Sequence, residues 1–322
     1  MSSFSEVVVG EEFSGERVDV FLAHHFAQQS RSSLQKLIKE GNVTLGGDAL
    51  RCHQRVFFGD RITVREATPR RLARAFAEEI SLSILYEDED LMIVDKPAGM
   101  LVHASAHQEK GTLVNALLHR FNAGEELSSG SAPYRPGIVH RLDKETSGCL
   151  LVAKNNQTHA LLTQGFAERT IKKTYLALVV GKPRHRQGSI NLPLGRHPSN
   201  RLKITKRLPP VGREAITDYQ VLASSSKESL LLCFPRTGRM HQIRVHLQHL
   251  GHPIIGDRLY GKSFSGQEHL KGRHLLHAWK IAFLHPRTKK LVEGRAPLPQ
   301  EFNLAQFDIS SCSEDPLDLF HS

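Results

Sequence analysis

Between Gly137 and Lys154 the sequence reads GIVHRLDKETSGCLLVAK. It places five chargeable side chains, His140, Arg141, Asp143, Lys144 and Glu145, within six positions, directly before the apolar run Cys149–Val152. An apolar run of four to eight residues bounded by glycine reads as a buried strand, so a charged knuckle abuts a buried element. An aspartate between Arg141 and Lys144 has its ionised form favoured. That suits a nucleophile or an electrostatic stabiliser better than a general acid. The same spacing also fits an aspartate that caps a turn between solvated cations.

A second chemistry-bearing stretch is RTGRMHQIRVHLQHLGHPIIGDRLYG, residues 236–261. His241, His246 and His249 suggest a metal at first sight. Their spacings do not make the two-histidine helical motif of zinc hydrolases, and no carboxylate joins them before Asp257, so no metal is assigned. Between Lys182 and Arg213 lie nine Lys/Arg and no acid, broken repeatedly by Pro and Gly. This pattern is too irregular for a helical charge face and reads as loops along a phosphate backbone. Tyr175 opens the apolar run Tyr175–Val180, which by itself fits a half-buried core residue.

The elements that must carry these residues follow from periodicity. Ile80, Leu82, Ile84 and Tyr86 alternate with polar residues and predict a strand. Strands are also expected at Leu91–Val94, 149–153, Tyr175–Val180, Thr217–Val221, Leu230–Phe234 and Ile281–Leu284. Helices are expected after Thr112 and after Asn155 or Asn156 as caps. Near the N-terminus, Val18, Phe21, Leu22 and Phe26 repeat at helical spacing. A second helix follows, with Ser32 or Ser33 as cap and Gly41 as stop. A hairpin is expected around Gly46-Gly47, then a strand after Gly59-Asp60. Residues 1–12 carry no clear signal. Asn122–Pro136 reads as a long loop and 67–79 as a linker.

The chain has 322 residues, room for one large domain or two unequal ones, and a formal charge of +10. That charge makes nucleic acid the first partner to consider. Its four cysteines are scattered, which argues against a zinc site or a disulfide framework. No apolar stretch approaches membrane-spanning length. A cytoplasmic protein with reduced thiols is expected.

HRLDKETSG closely resembles the signature of the RluA family of pseudouridine synthases, which isomerise uridine in structured RNA. DKPAGMLVH resembles that family's first motif, KKTYLALV its K-x-Y element, LGRHPSNR its R-H-P segment, and the 236–261 stretch its HQIR and GD…YG elements. His274–Ala278 and the strand Ile281–Leu284 match its last core segment. The resemblance implies that Asp143 is catalytic, that Arg244 pairs with it, and that Tyr175 lies against the target base. It implies that Arg141 enters the RNA stack as the uridine leaves, with His140, Lys173 and Arg196 as further RNA contacts. Residues 15–66 resemble the S4 RNA-binding domain, with Arg31, Lys36, Lys39 and Arg51 as phosphate contacts. The implied fold is α+β: a catalytic domain over 80–309 on a mixed, largely antiparallel sheet, behind a small S4-like α/β domain. An acidic tail occupies 310–322.

The implied reaction breaks an N–C glycosidic bond, turns the base and joins C5 to the sugar. It involves no redox change, and no cofactor is expected. A stacked base must be extruded to reach a pocket. Two other classes compete. A glycosidase normally wants two carboxylates flanking the bond. A non-catalytic RNA-binding assembly factor would leave Asp143, Tyr175 and Arg244 unexplained. Within the family, YEDEDLMIVDKPAGMLVH behind an S4-like domain looks most like members with large-subunit ribosomal RNA (RluD-type) specificity. RNA is thus the expected partner of a monomer, with neither DNA nor membrane.

Overall fold

A computed structural model describes residues 4–26, 31–65, 75–105, 108–121, 127–128, 135–200, 202–261, 273–302 and 307. Most of the expected linker and of the Asn122–Pro136 loop, and all of the expected acidic tail, lie outside these. The chain divides into two compact units, Met1–Leu72 and Ala73–Ser322.

In the first unit, strands β1 (Phe4–Val8), β2 (Val43–Leu45), β3 (Asp48–Ala49) and β4 (Arg61–Arg65) form one sheet in the order β1-β4-β2-β3. Two helices, α1 (Val18–His25) and α2 (Arg31–Lys39), complete it. Val18, Phe21 and Leu22 of α1 share a buried cluster with Leu34 and Ile38 of α2 and with Val43 and Ile62 of the sheet. Gly46 and Gly47, both at positive φ, make the two-residue turn between Leu45 and its partner Asp48. Gly41, at φ 76°, ends α2 as expected. Ser32 and Ser33 lie inside α2 rather than capping it, because the helix already begins at Arg31. β1 falls within residues that carry no clear sequence signal; it is a short edge strand that pairs with β4 alone.

The second unit is built on one sheet. Its strands are β5 (Ser83–Glu87), β6 (Leu91–Lys96), β7 (Ser147–Ala153), β8 (Lys172–Val180), β9 (Gln187–Asn191), β12 (Ile216–Ser224), β13 (Glu228–Pro235), β14 (Leu276–Leu284) and β15 (Leu291–Arg295). A separate two-stranded hairpin, β10 (Leu194–Arg196) with β11 (Ile204–Lys206), stands apart from it. The order is β5-β6-β7-β14-β8-β13-β12-β9, with β15 added to β14. All pairings are antiparallel except β7 with β14. Three helices accompany the sheet, α3 (Leu113–Arg120), α4 (Asn156–Ala167) and α5 (Gln242–His249). Thr112 caps α3 through a reciprocal pair with Asn115, and Asn155 caps α4. Among the described residues no helix is long and apolar enough to cross a membrane.

β7 is buried along its whole length. Leu150, Leu151 and Val152 are each fully buried, which contributes roughly 1.5–3 kcal/mol per side chain. The knuckle is therefore attached to a rigid element. The segment before it runs back along β7: Ile138 bridges Val152, and Ala153 N–H donates to Gly137 O at 2.9 Å. Gly148, at φ 107°, sits where a Cβ would collide with the carbonyl of Ala278, so the parallel junction of β7 and β14 requires glycine. The basic stretch 182–213 is more ordered than the loops expected of it. Part of it forms β9 at the sheet edge and part forms the β10–β11 hairpin.

Candidate active site

The turn 140–146 folds so that Thr146 N–H donates to Asp143 O at 3.1 Å. This presents the Asp143 carboxylate, 21 % exposed, to a cavity of about 930 Å³. The loop after β6 braces the turn from behind. Lys96 is fully buried, and its Nζ donates to the carbonyls of Pro97 (2.7 Å), Met100 (2.9 Å) and Lys144 (3.1 Å). Three hydrogens of an ammonium thus meet three acceptors, although burial pulls the group down to about 7. Gly99 N–H donates to the same Lys144 carbonyl at 2.9 Å, so the Asp-Lys-Pro-Ala-Gly turn and the charged knuckle form one body.

Helix α5 supplies the opposing cation. Gln242 secures its first turn by using all its amide capacity: Nε2 donates to Ile216 O and Thr217 Oγ1, and Oε1 accepts from Thr237 Oγ1 and Arg239 N. Ile243 and Val245 enter the core. His246 is occupied by Thr217 Oγ1 and Leu192 O, so it is a structural residue of the helix, and burial pulls it down to about 4. Arg244 is left pointing at the site. Its Nη1 donates to Asp143 Oδ2 at 2.9 Å, while Nε and Nη2 fork onto Asp257 at 2.7 and 3.0 Å. The guanidinium also lies over the Tyr260 ring, 5.1 Å from its centroid. Bidentate pairing of this kind fixes direction as well as charge. Burial alone would raise the Asp257 carboxyl, but hydrogen bonding to Arg244 holds it below its ordinary value.

Tyr175, Arg141, His140 and Lys173 line the same cavity. Tyr175 is only 8 % exposed, and burial, reinforced by the charge of Asp143, raises its phenol so that it stays neutral. Arg141 is exposed. His140 Nε2 accepts from Leu151 N–H at 2.7 Å and its ring packs on Phe166, so part of its role is to hold the knuckle to β7. Burial, with Lys173 nearby, pulls it down to about 3. Lys173 lies over the Phe166 ring at 5.6 Å, and burial lowers its amine to about 8. Arg196 is exposed on β10 and is not among the cavity-lining residues.

In the first unit Lys39 and Arg51 are exposed, and the side chain of Lys36 lies outside the described residues. Arg31 answers first to Asp19, to which its Nε and Nη2 donate at 3.2 and 3.0 Å. Burial would raise Asp19, but bonds from Arg17, Gln35 and Arg31 hold it down at about 2.

Sequence reasoning assigns no role to Asp257, Tyr260, His241 or Lys96. The first three stand inside the 236–261 stretch, and the available signal is a carboxylate and an aromatic following an arginine in one element. For metal, the described residues offer one grouping, Asp88, Asp90 and His285. Its carboxylates are engaged by Tyr86 on Asp88 at 2.7 Å and Arg287 on Asp90 at 2.6 Å, while His285 Nε2 lies 3.0 Å from Asp88 Oδ2 without making a hydrogen bond.

A carboxylate and an aromatic wall on a largely antiparallel α+β sheet, joined to a helix-borne arginine, define a class that similarity to known proteins specifies. Residues 90–249 match the family described as RNA pseudouridylate synthase. The chain resembles a human protein, RNA pseudouridylate synthase domain containing 1, with a TM-score of 0.56 and 29 % identity over 71 % of this chain and 88 % of that one. The chain is 39 % identical to the RNA pseudouridine synthase YlyB of Bacillus subtilis, over 92 % of this chain and 95 % of the relative. It is 40 % identical to ribosomal large subunit pseudouridine synthase D of Nitrosomonas europaea, over 92 % and 85 %. The chain belongs to the RNA pseudouridine synthases, and is an isomerase of uridine in RNA.

Proposed function

We propose that this enzyme converts uridine to pseudouridine in large-subunit ribosomal RNA, with Asp143 as nucleophile. The observation that carries the reading is the Asp143–Arg244 hydrogen bond of 2.9 Å at a cavity also lined by Tyr175. Arg244 occupies Oδ2, so Oδ1 is the oxygen that attacks. Tyr175 forms the wall for the extruded base, and Arg141 takes the vacated place in the stack, where a planar guanidinium pairs and stacks well. His140, Lys173 and Arg196 add RNA contacts. A glycosidase is disfavoured because Asp257, the other carboxylate on Arg244, is 1 % exposed and committed to it, and Asp218, the other carboxylate lining the cavity, is paired with Arg236 at 2.6 Å. The large-subunit assignment is supported by the names of several relatives, among them the Nitrosomonas europaea protein. Mapping pseudouridines in ribosomal RNA from a strain lacking the gene tests it: one or more large-subunit positions are expected to revert to uridine. An unchanged large-subunit map with losses in transfer RNA would reassign the substrate.

The first unit is proposed to be an S4-like RNA-binding domain over 15–66, joined by 67–79 to the catalytic domain over 80–309. The protein is proposed to act as a cytoplasmic monomer without DNA or membrane partners, which its elution volume in gel filtration checks. Lys39 and Arg51 are exposed and suit phosphate binding. Replacing both with alanine is expected to flatten the slope of log affinity against log salt, by about 0.7–0.9 for each phosphate that is no longer neutralised. An unchanged slope would remove both residues from the RNA interface.

A further inference from the structure

His241 is the residue of the site that the proposed mechanism leaves unused, and its setting is unusual. It is a non-glycine residue at φ 55°, ψ 19°, heading α5 in the left-handed region. Such a conformation persists where its surroundings impose it. Here those surroundings are a tyrosine, a strand amide and the nucleophile. His241 Nδ1 lies 2.8 Å from Tyr260 Oη. The same hydroxyl accepts from Ile204 N–H at 2.8 Å, and Ile204 is the first residue of β11. On the far side of the ring, His241 Nε2 lies 4.0 Å from Asp143 Oδ1, the carboxylate oxygen that Arg244 does not hold.

Hydrogen accounting orders this chain. The Ile204 amide can only donate, so Tyr260 Oη accepts there. Among the described residues the hydroxyl's other hydrogen-bond partner is His241 Nδ1, and we take its proton to lie on that bond. A neutral imidazole accepting at Nδ1 carries its hydrogen on Nε2. The charged and titratable groups around the ring are Asp143, Arg244, Asp257, Arg141, His274 and Tyr260. Burial outweighs the nearby carboxylates and holds the imidazole below its ordinary value, so it stays neutral. A neutral donor can orient a carboxylate without the proton transfer an imidazolium would risk.

We infer that Tyr260 and His241 are positioning residues: the Ile204–Tyr260–His241 chain directs Nε2–H at Asp143 Oδ1 and aims the nucleophile from the side opposite Arg244. The inference rests on the proposed role of Asp143. The 4.0 Å gap closes to hydrogen-bond distance when the target nucleotide fills the cavity, as catalytic hydrogen bonds in empty sites commonly tighten on binding. Because the anchoring amide belongs to the β10–β11 hairpin, a basic element, hairpin placement and nucleophile orientation are mechanically linked.

Two measurements test this. Nitrogen NMR of the His241 imidazole in the wild-type enzyme is expected to show a neutral ring with hydrogen on Nε2, and Tyr260→Phe is expected to give a mixed tautomer. A proton on Nδ1 in the wild type overturns the chain. In single-turnover kinetics, Tyr260→Phe keeps the ring under Arg244 and is expected to lower the rate at saturating RNA by about tenfold, with RNA affinity within about twofold. His241→Ala is expected to lose at least as much, and the double variant no more than His241→Ala alone, since both act through one path. A wild-type rate in Tyr260→Phe, or losses that multiply, overturns the inference. The NMR result stands whether or not Asp143 is the nucleophile, so failure of that reading is distinguishable.

Discussion

Asp143→Asn is expected to lower pseudouridine formation by roughly four orders of magnitude or more while leaving the protein folded. The amide has the same shape and still offers an oxygen to Arg244, but it lacks the charge needed to attack carbon. Arg244 keeps its fork on Asp257 at 2.7 and 3.0 Å, so its own charge stays compensated. Asp143 is 21 % exposed, and an amide there buries little unsatisfied polarity. Stability is therefore expected to change by about 1 kcal/mol at most. Tritium release from RNA labelled at uridine C5 gives the rate, and urea denaturation the stability. Release within about tenfold of wild type would sink the assignment of Asp143 as nucleophile.

Asp143, Arg244 and Tyr175 are visible in the sequence because each sits in a contiguous, chemically mixed motif. The structure places all three on one cavity although Asp143 and Arg244 are 101 residues apart. What cannot be read is what lies behind them. Lys96 looks like part of a turn, and only the fold shows its ammonium spanning from Pro97 to Lys144. Asp257 stands in the GD…YG element, but a carboxylate thirteen residues after an arginine does not by itself show that the two pair. His241 and His246 look like metal ligands by type, yet the helix sends one toward Asp143 and the other into Thr217 and Leu192.

The fold follows the same division. Buried strands such as β7 announce themselves by composition, whereas the edge strands β9 and β15 do not. In β9 the only buried side chain is Ile190, and in β15 Leu291 faces outward while Val292 packs inward. β5 starts at Ser83, three residues later than the alternation from Ile80 suggests, and a register shift interrupts its pairing between Ile84 and Tyr86. Helix α5 is too polar for a simple apolar stripe. Its amides and imidazoles make specific bonds to β12 and the 237–239 turn instead.

Arg244→Met is expected to remove activity and stability together, and the two losses are separable. Activity falls because Asp143 loses its 2.9 Å partner, and by roughly two to three orders of magnitude if Arg244 orients rather than reacts. Stability falls for another reason. Asp257, 1 % exposed, becomes a buried charge whose remaining hydrogen bonds among the described residues are those from Leu259 N and Tyr260 N at 3.0 and 3.1 Å, a loss of about 3–5 kcal/mol. The pH dependence should reverse in sign. In the wild type the Asp257 carboxyl lies below its ordinary 3.8. It therefore contributes stability that is present above the unfolded value and lost as pH falls through the folded one. Without Arg244, burial dominates and raises the folded value above the unfolded one, so the variant loses stability as pH rises through that window. The deficit against wild type should accordingly be largest at neutral pH and shrink on acidification. Adding Asp257→Asn to Arg244→Met removes the stranded charge and should restore most of the stability without restoring activity. Urea denaturation across the acid range, paired with tritium release at neutral pH, reads both. A double variant as unstable as Arg244→Met alone would mean that the Asp257 charge is not the cause, and recovery of activity in it would deny Arg244 its role at Asp143.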